Sequence, residues 1–159
     1  MILDNIKIFS QNVWKNLLIV NTILETQSQF NIIFIQEPPW SITHIISSDS
    51  NCEGEILVEM THHPSWLSFT RTYSNQPDAP RVLVYINIYL SSLWFSLQNN
   101  IINHKDILLI SFINNYICSF IINFYSDFSY SALKYLKDTE VNINNLLIIT
   151  GDFNIRDSL

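Results

Sequence analysis

Six polar side chains stand where strand-like apolar runs of this sequence stop. Asn12 follows Ile6-Lys7-Ile8-Phe9, and Glu37 follows Ile32-Ile33-Phe34-Ile35-Gln36. Asn123 and Tyr125 close a long apolar stretch, and Asp152 and Asn154 follow Leu146 to Thr150. In layered α/β folds the ends of buried strands converge on one rim, and that rim is the usual ligand site. A Glu and an Asp placed there offer hard carboxylate oxygens, the donors Mg²⁺ prefers while it keeps positions open for water and substrate. Such a cation stabilises charge on phosphoryl oxygens, and neutral Asn and Tyr groups donate hydrogen bonds to the same oxygens. The chemistry on offer is a metal-assisted reaction at a phosphate. Taken singly, each residue also fits an ordinary position. Asn12 suits a strand-end turn, Glu37 a solvated loop, Tyr125 a core, and Gly151-Asp152-Phe153-Asn154 a plain turn.

Other chemistries are excluded by what the chain lacks. Gly54 and Gly151 are its two glycines, too few for a phosphate-cradling P-loop or a dinucleotide fingerprint. No Gly-x-Ser-x-Gly elbow occurs. His62 and His63 are adjacent, and adjacent side chains converge on one metal less readily than an i, i+4 helical pair. Cys52 and Glu53 nearby keep a zinc reading weakly open. Cys52 and Cys118 form no disulfide framework, so a reducing, intracellular compartment (nuclear or cytoplasmic) is expected. The first residues, MILDNIKIF, lack the pattern of a secretory signal.

The elements that must carry these residues follow from hydrophobic periodicity. Residues 6–13 read as a strand. Trp14, Leu17, Val20 and Leu24 predict an amphipathic helix over 14–29. Residues 31–36 form a strand buried on both faces, ended by Pro38-Pro39. Residues 41–64, rich in Ser, Asn, His and Glu, predict a long surface loop. Strands are expected at 66–73, 81–90 and 92–97, with a turn at 74–80, and a hairpin at 106–112 and 116–124. Ser126-Asp127 opens a helix over 128–143, and 146–150 is a last buried strand. This order predicts a single α/β domain over 1–159, with sheets covered by helices.

At 159 residues with 48% hydrophobic and 14% charged residues, the chain has ample core material and little solvating charge. Its net charge of −6 argues weakly against a strong nucleic-acid face, because such faces are basic. Acidic metal-holding residues lower the charge just where such chemistry happens, so a nuclease is compatible. Residues 107–124 are nearly continuously apolar and approach the length of a membrane span. Asn114-Asn115 in the middle reads instead as a tight turn between two buried strands, so no stable membrane association is expected.

Four segments, in order, resemble the endonuclease/exonuclease/phosphatase (DNase-I-like) superfamily. They are Ser10-Gln11-Asn12-Val13, Ile35-Gln36-Glu37-Pro38, Asn123-Phe124-Tyr125-Ser126 and Gly151-Asp152-Phe153-Asn154. The run Arg81 to Ile86 is similar to the central strand of these proteins. Within the superfamily, the pattern is most similar to the endonuclease domains of LINE-type (non-LTR) retrotransposons, which precede a reverse transcriptase. The resemblance implies an α/β/β/α sandwich, here a partial one without its C-terminal portion. It implies Mg²⁺, or Mn²⁺ in its place, held by Glu37 with Asn12 beside it. Tyr125 would contact the scissile phosphate, Asp152 would orient or activate the attacking water, and Asn154 would stabilise the transition state. Asn123, Tyr125 and Asn154 would bind substrate, a DNA phosphodiester.

The resemblance also implies a downstream Asp and a final Asp-His pair, yet the sequence stops at Asp157-Ser158-Leu159, and none of its four histidines matches. A truncated domain with impaired activity is the expectation. Open sheet edges would then favour self-association. An active enzyme assembled with a second chain, and a non-catalytic interaction or membrane-associated protein using residues 107–124, are the competing readings.

Overall fold

The computed structural model describes residues 6–39, 44–47, 56–59, 63–70, 80–90, 94–114, 117–139 and 145–154. In chain order the elements are β1 (Ile8–Asn12), α1 (Leu17–Thr26), β2 (Ile32–Gln36), β3 (His44–Ser47), β4 (Ile56–Glu59), β5 (Trp66–Thr70) and β6 (Val82–Asn87). A short 3-10 turn (Ile88–Leu90) precedes β7 (Trp94–Leu97), β8 (Ile107–Asn114), β9 (Ile117–Tyr125), α2 (Ser131–Asp138) and β10 (Leu146–Asp152).

Two four-stranded sheets form the body, with orders β1-β2-β6-β5 and β10-β9-β8-β7. In each, one pair is parallel, β1 with β2 and β10 with β9, and the other pairs are antiparallel. A parallel pair requires a crossover. Here α1 connects β1 to β2, and α2 connects β9 to β10.

Alternation along the strands sets the layers. Ile32, Phe34, Val82 and Val84 of one sheet meet Leu108, Ile110, Phe112 and Ile121 of the other, filling the space between the sheets. The intervening residues Ile33, Ile35, Leu83 and Tyr85 face outward and pack on Val20, Ile23 and Leu24 of α1. On the far side Ile107, Leu109, Ile122 and Phe124 pack beneath Ala132, Leu133 and Leu136 of α2. The result is an α/β/β/α stack. Residues of β2, with Ile and Phe on both faces, are all buried because one face meets the second sheet and the other meets a helix. The apolar run 107–124 has the same explanation. It forms β8 and β9, whose residues Ile107 to Phe112 and Ile121 to Phe124 pack on both faces within the stack. Among the described residues, no helix is long and apolar enough to cross a membrane.

Three expectations are corrected. Residues 41–64, expected to be a loop, contain the antiparallel pair β3–β4, in which Ile45 lies opposite Val58 and Ile46 opposite Leu57. These short aliphatic runs are hidden in the sequence by polar neighbours. Both helices are shorter than their apolar periodicity suggested. Trp14 and Lys15 have φ of 46° and 59° and form a bend, with α1 capped by Asn16, whose side chain accepts from the N–H of Leu18 and Ile19. Finally, α2 does not open at Ser126-Asp127. Its N-cap is Tyr130, in the left-handed region with φ 53° and no side-chain cap, and the Asp127 carboxylate turns to Ser129 and Arg81 instead. The expected turn at 74–80 and the helix end at 140–143 lie outside the described residues, apart from Pro80.

Candidate active site

The parallel pairs explain why distant residues meet. Asn12 ends β1, Gln36 ends β2 with Glu37 next, Tyr125 ends β9 and Asp152 ends β10. All four are C-terminal strand ends, and the register places Asn12 beside Gln36 and Tyr125 beside Asp152. Face-to-face packing then sets one pair against the other. Asn12 Nδ2 donates to Asp152 Oδ2 at 2.8 Å, and the Tyr125 hydroxyl donates to Glu37 Oε1 at 3.0 Å. Both hydrogen bonds cross from one sheet to the other.

Beneath this rim lies a second crossing. Asn123 is wholly buried, and its Oδ1 accepts from Gln36 Nε2 at 2.6 Å while its Nδ2 donates to the carbonyls of Ile35 and Leu83 at 3.1 and 2.9 Å. A buried amide with all these partners is a tie between sheets. Asn123 was expected to contact substrate; its side chain is wholly buried beneath the rim.

The Gly151-Asp152-Phe153-Asn154 segment is fixed by its backbone. Gly151 has φ 151°, and a Cβ there would lie 1.8 Å from the carbonyl oxygen of Phe124, so glycine is required for β10 to approach β9. Ser126 N–H donates to the Asp152 carbonyl at 2.8 Å. Asn154 donates its backbone N–H to Asp152 Oδ1 at 3.1 Å and its amide to the Ser126 carbonyl at 2.7 Å. Trp14, Lys15, Glu37 and Asn154 all take positive φ, between 43° and 59°. Such conformations cost about 1–3 kcal/mol each and persist where surrounding structure imposes them, as at functional sites.

Charge at the rim is organised by a residue that sequence reasoning assigned only to the central strand, Arg81. Its guanidinium forks onto both carboxylate oxygens of Asp106, which is wholly buried, and reaches Asp127 Oδ2 at 3.0 Å. It also lies over the Tyr125 ring, 4.8 Å from the centroid. Burial works against its charge, but the hydrogen bonds and charges of Asp106 and Asp127 outweigh it and raise its pKa above the ordinary value. Burial pushes the Tyr125 phenol up to about 12; the hydrogen bond and charge of Glu37 add to this, Arg81 opposes it, and Asp152 adds a smaller push. Tyr125 is therefore a neutral donor at physiological pH. The only signal for Arg81 and Asp106 in the sequence is a charge directly before each of two apolar runs.

The rim thus gathers Asn12, Glu37, Tyr125, Asp152 and Asn154. Its donors toward a metal are carboxylate and amide oxygens, a set that fits a hard divalent cation. Among the described residues no three His, Cys, Asp or Glu side chains cluster to form a self-sufficient metal cage. His63 lies 3.6 Å from Glu25, and His104 packs on Tyr135 and accepts the backbone N–H of Asp106.

Two mixed sheets, a helix layer outside each, and a polar rim at the ends of the parallel strands define a DNase-I-like α/β fold. The structure is similar to a solved endonuclease domain, that of TRAS1, a telomere-specific non-LTR retrotransposon. The TM-score is 0.65 and the sequence identity 14%, over 96% of this chain and 62% of that one. The chain therefore spans less than two thirds of the matched domain's length, and at this identity the likeness is one of fold. No family model and no curated protein matches the sequence.

Proposed function

We propose that residues 1–159 belong to an Mg²⁺-dependent endonuclease domain of the non-LTR retrotransposon type, hydrolysing phosphodiester bonds in DNA. The observation that carries the proposal is the pair of inter-sheet contacts, Tyr125 to Glu37 and Asn12 to Asp152, joining four sequence-distant polar residues at one rim. Such a convergence is unnecessary for a purely structural sandwich, whose sheets are already joined by the apolar layer between them.

In this reading Glu37 holds the cation, with Asn12 beside it. When bound, Mg²⁺ (or Mn²⁺) offsets negative charge that develops on the phosphate oxygens. Tyr125, kept protonated by its surroundings, donates to a non-bridging oxygen. Asp152, aligned by Asn12 and by the backbone N–H of Asn154, orients an attacking water and accepts its proton. Asn154 donates to the charge-bearing oxygens once its amide leaves the Ser126 carbonyl. Asn123 serves from below, fixing the strand that carries Tyr125.

In this reading neither His63, paired with Glu25, nor His104, stacked on Tyr135, supplies an imidazole for acid-base transfer at the rim. Such a group typically contributes about 10²–10⁴-fold, so the 159 residues alone are expected to cleave slowly. Nicking of supercoiled plasmid is the test. Slow nicking should require Mg²⁺ or Mn²⁺, stop with EDTA, and fall at least about 100-fold in Glu37→Gln and in Asp152→Asn. Nicking that survives both substitutions, or a chain that neither nicks nor binds a divalent cation, overturns the proposal.

A further inference from the structure

We propose that Arg81 and Asp106 are positioning residues that together fix the relative placement of Glu37 and Tyr125. The inference rests on the reading above, in which Glu37 holds the cation and Tyr125 grips the phosphate. It adds two residues to which the reading above gives no role.

The four residues form a closed ring of contacts. The backbone N–H of Glu37 donates to the Arg81 carbonyl at 2.8 Å. The Arg81 side chain forks onto Asp106 through Nε and one terminal nitrogen. The Asp106 carbonyl accepts the backbone N–H of Tyr125 at 2.9 Å. The Tyr125 hydroxyl closes the ring on Glu37 Oε1 at 3.0 Å. A further contact spans the ring, because the guanidinium lies over the Tyr125 face.

Each link fixes something specific. A two-point fork sets the plane of a guanidinium, not only its position. That plane, resting on the phenol ring, restricts the direction in which the hydroxyl points. Glu37 sits at φ 51°, a conformation that a glutamate leaves unless its neighbours hold it. One of its holds is the Arg81 carbonyl and another is the Tyr125 hydroxyl. Loosening the fork therefore frees the phenol axis, and with it the hydroxyl contact that holds the Glu37 carboxylate.

Stability alone is a poor explanation for this pair. A buried ion pair is often matched or bettered by apolar residues of similar volume, since desolvation of two charges offsets their attraction. Asp106 is wholly buried, and it sits directly before β8, the first strand of the largely apolar β8–β9 pair. The geometry points to orientation as what the pair supplies.

The test uses the 159-residue chain and Mn²⁺ itself as the probe, with free Mn²⁺ counted by electron paramagnetic resonance at a temperature where each variant is folded by circular dichroism. Two alterations are compared: Arg81→Lys, which keeps the charge but loses the fork, and the double replacement Arg81→Met with Asp106→Leu, which fills the space without charge. Positioning predicts that both weaken Mn²⁺ binding about ten- to a hundredfold, the range for groups that orient a metal ligand. The double variant should do so while melting within a few degrees of the parent. If a variant with parental thermal stability also binds Mn²⁺ with parental affinity, the inference is overturned. Should the double variant not fold, Arg81→Lys decides by the same comparison. Glu37→Gln separates the two levels of the argument. Parental Mn²⁺ affinity in Glu37→Gln, or no Mn²⁺ binding by the parent, overturns the metal reading and this inference with it. Loss in Glu37→Gln with none in the Arg81 variants overturns this inference alone.

Discussion

The two strand–helix–strand units, β1-α1-β2 and β9-α2-β10, each deliver two strand ends to the rim, but they are fixed by different means. In the first, the helix is held by its own cap and apolar stripe. Asn16 caps α1, Val20, Ile23 and Leu24 form its buried stripe, and Trp66 reaches across to the Leu24 carbonyl at 3.1 Å. In the second, α2 starts from a left-handed Tyr130 without a side-chain cap and buries only Ala132 completely. Its returning strand depends on Gly151 to come close enough to β9. The first unit is specified by its own residues. The second takes its shape from contacts with the rest of the molecule, among them Arg81 with Asp127. In the proposed function, attack chemistry through Asp152 falls to the second unit and cation binding through Glu37 to the first.

The largest effect should come from breaking the second unit at its narrowest point. In Gly151→Ala the new methyl group meets the Phe124 carbonyl, and the φ of 151° is one that alanine avoids. Overpacking and backbone strain together should cost about 3 kcal/mol, read as a lower urea midpoint. Asp152 follows Gly151 directly, so divalent-dependent nicking should fall with it. A variant with the parental midpoint would mean that β10 lies further from β9 than described.

The matching change in the first unit should be smaller and should spare the rim. Asn16→Ala removes the acceptor for the Leu18 and Ile19 N–H groups, at 3.0 and 3.4 Å. Loss of such a cap costs about 1 kcal/mol. Urea unfolding should register it, while Mn²⁺ affinity stays at the parental value because α1 still packs through Val20, Ile23 and Leu24. A large drop in Mn²⁺ affinity would show that the first unit is not locally specified after all.

The same contrast governs what was legible in the sequence. Strands β2, β9 and β10 stand out as apolar runs, and the residues that end them are placed as expected. The outer faces of α1 and α2 follow from spacing, but their starts do not. Trp14 fits a helical stripe, yet its N–H bonds to Asn12 Oδ1 at 2.9 Å and the chain bends to make that contact. The pair β3–β4 escaped because a run of two or three aliphatic residues is too short to show a period among polar neighbours. Arg81 was legible as the start of the central strand but not as half of a pair. Its partner lies 25 residues away, and no spacing rule connects them. Asn123 was legible as a strand-end polar group, but only packing of the second sheet could turn it inward.

The smallest effect should separate the two carboxylates that share Arg81. Asp106 is wholly buried, whereas the Asp127 side chain is 31% exposed. An ion pair that open to water contributes at most about 1 kcal/mol, so Asp127→Asn should lower stability at pH 7 by about 0.5 kcal/mol. Its pH dependence carries the sharper prediction. Hydrogen bonding from Ser129 holds the Asp127 carboxyl below its ordinary 3.8; burial opposes this, and Arg81 then adds to it. A carboxyl lowered in the folded state stabilises the fold above its unfolded pKa, and that contribution is lost as pH falls through the folded value. The gap between parent and Asp127→Asn in urea midpoint should therefore be constant above about pH 5 and close as the pH drops below it. A gap that widens in acid would mean that the Ser129 and Arg81 contacts do not favour the ionised form. The entry into α2 would then owe nothing to Arg81, and the second unit would be as locally determined as the first.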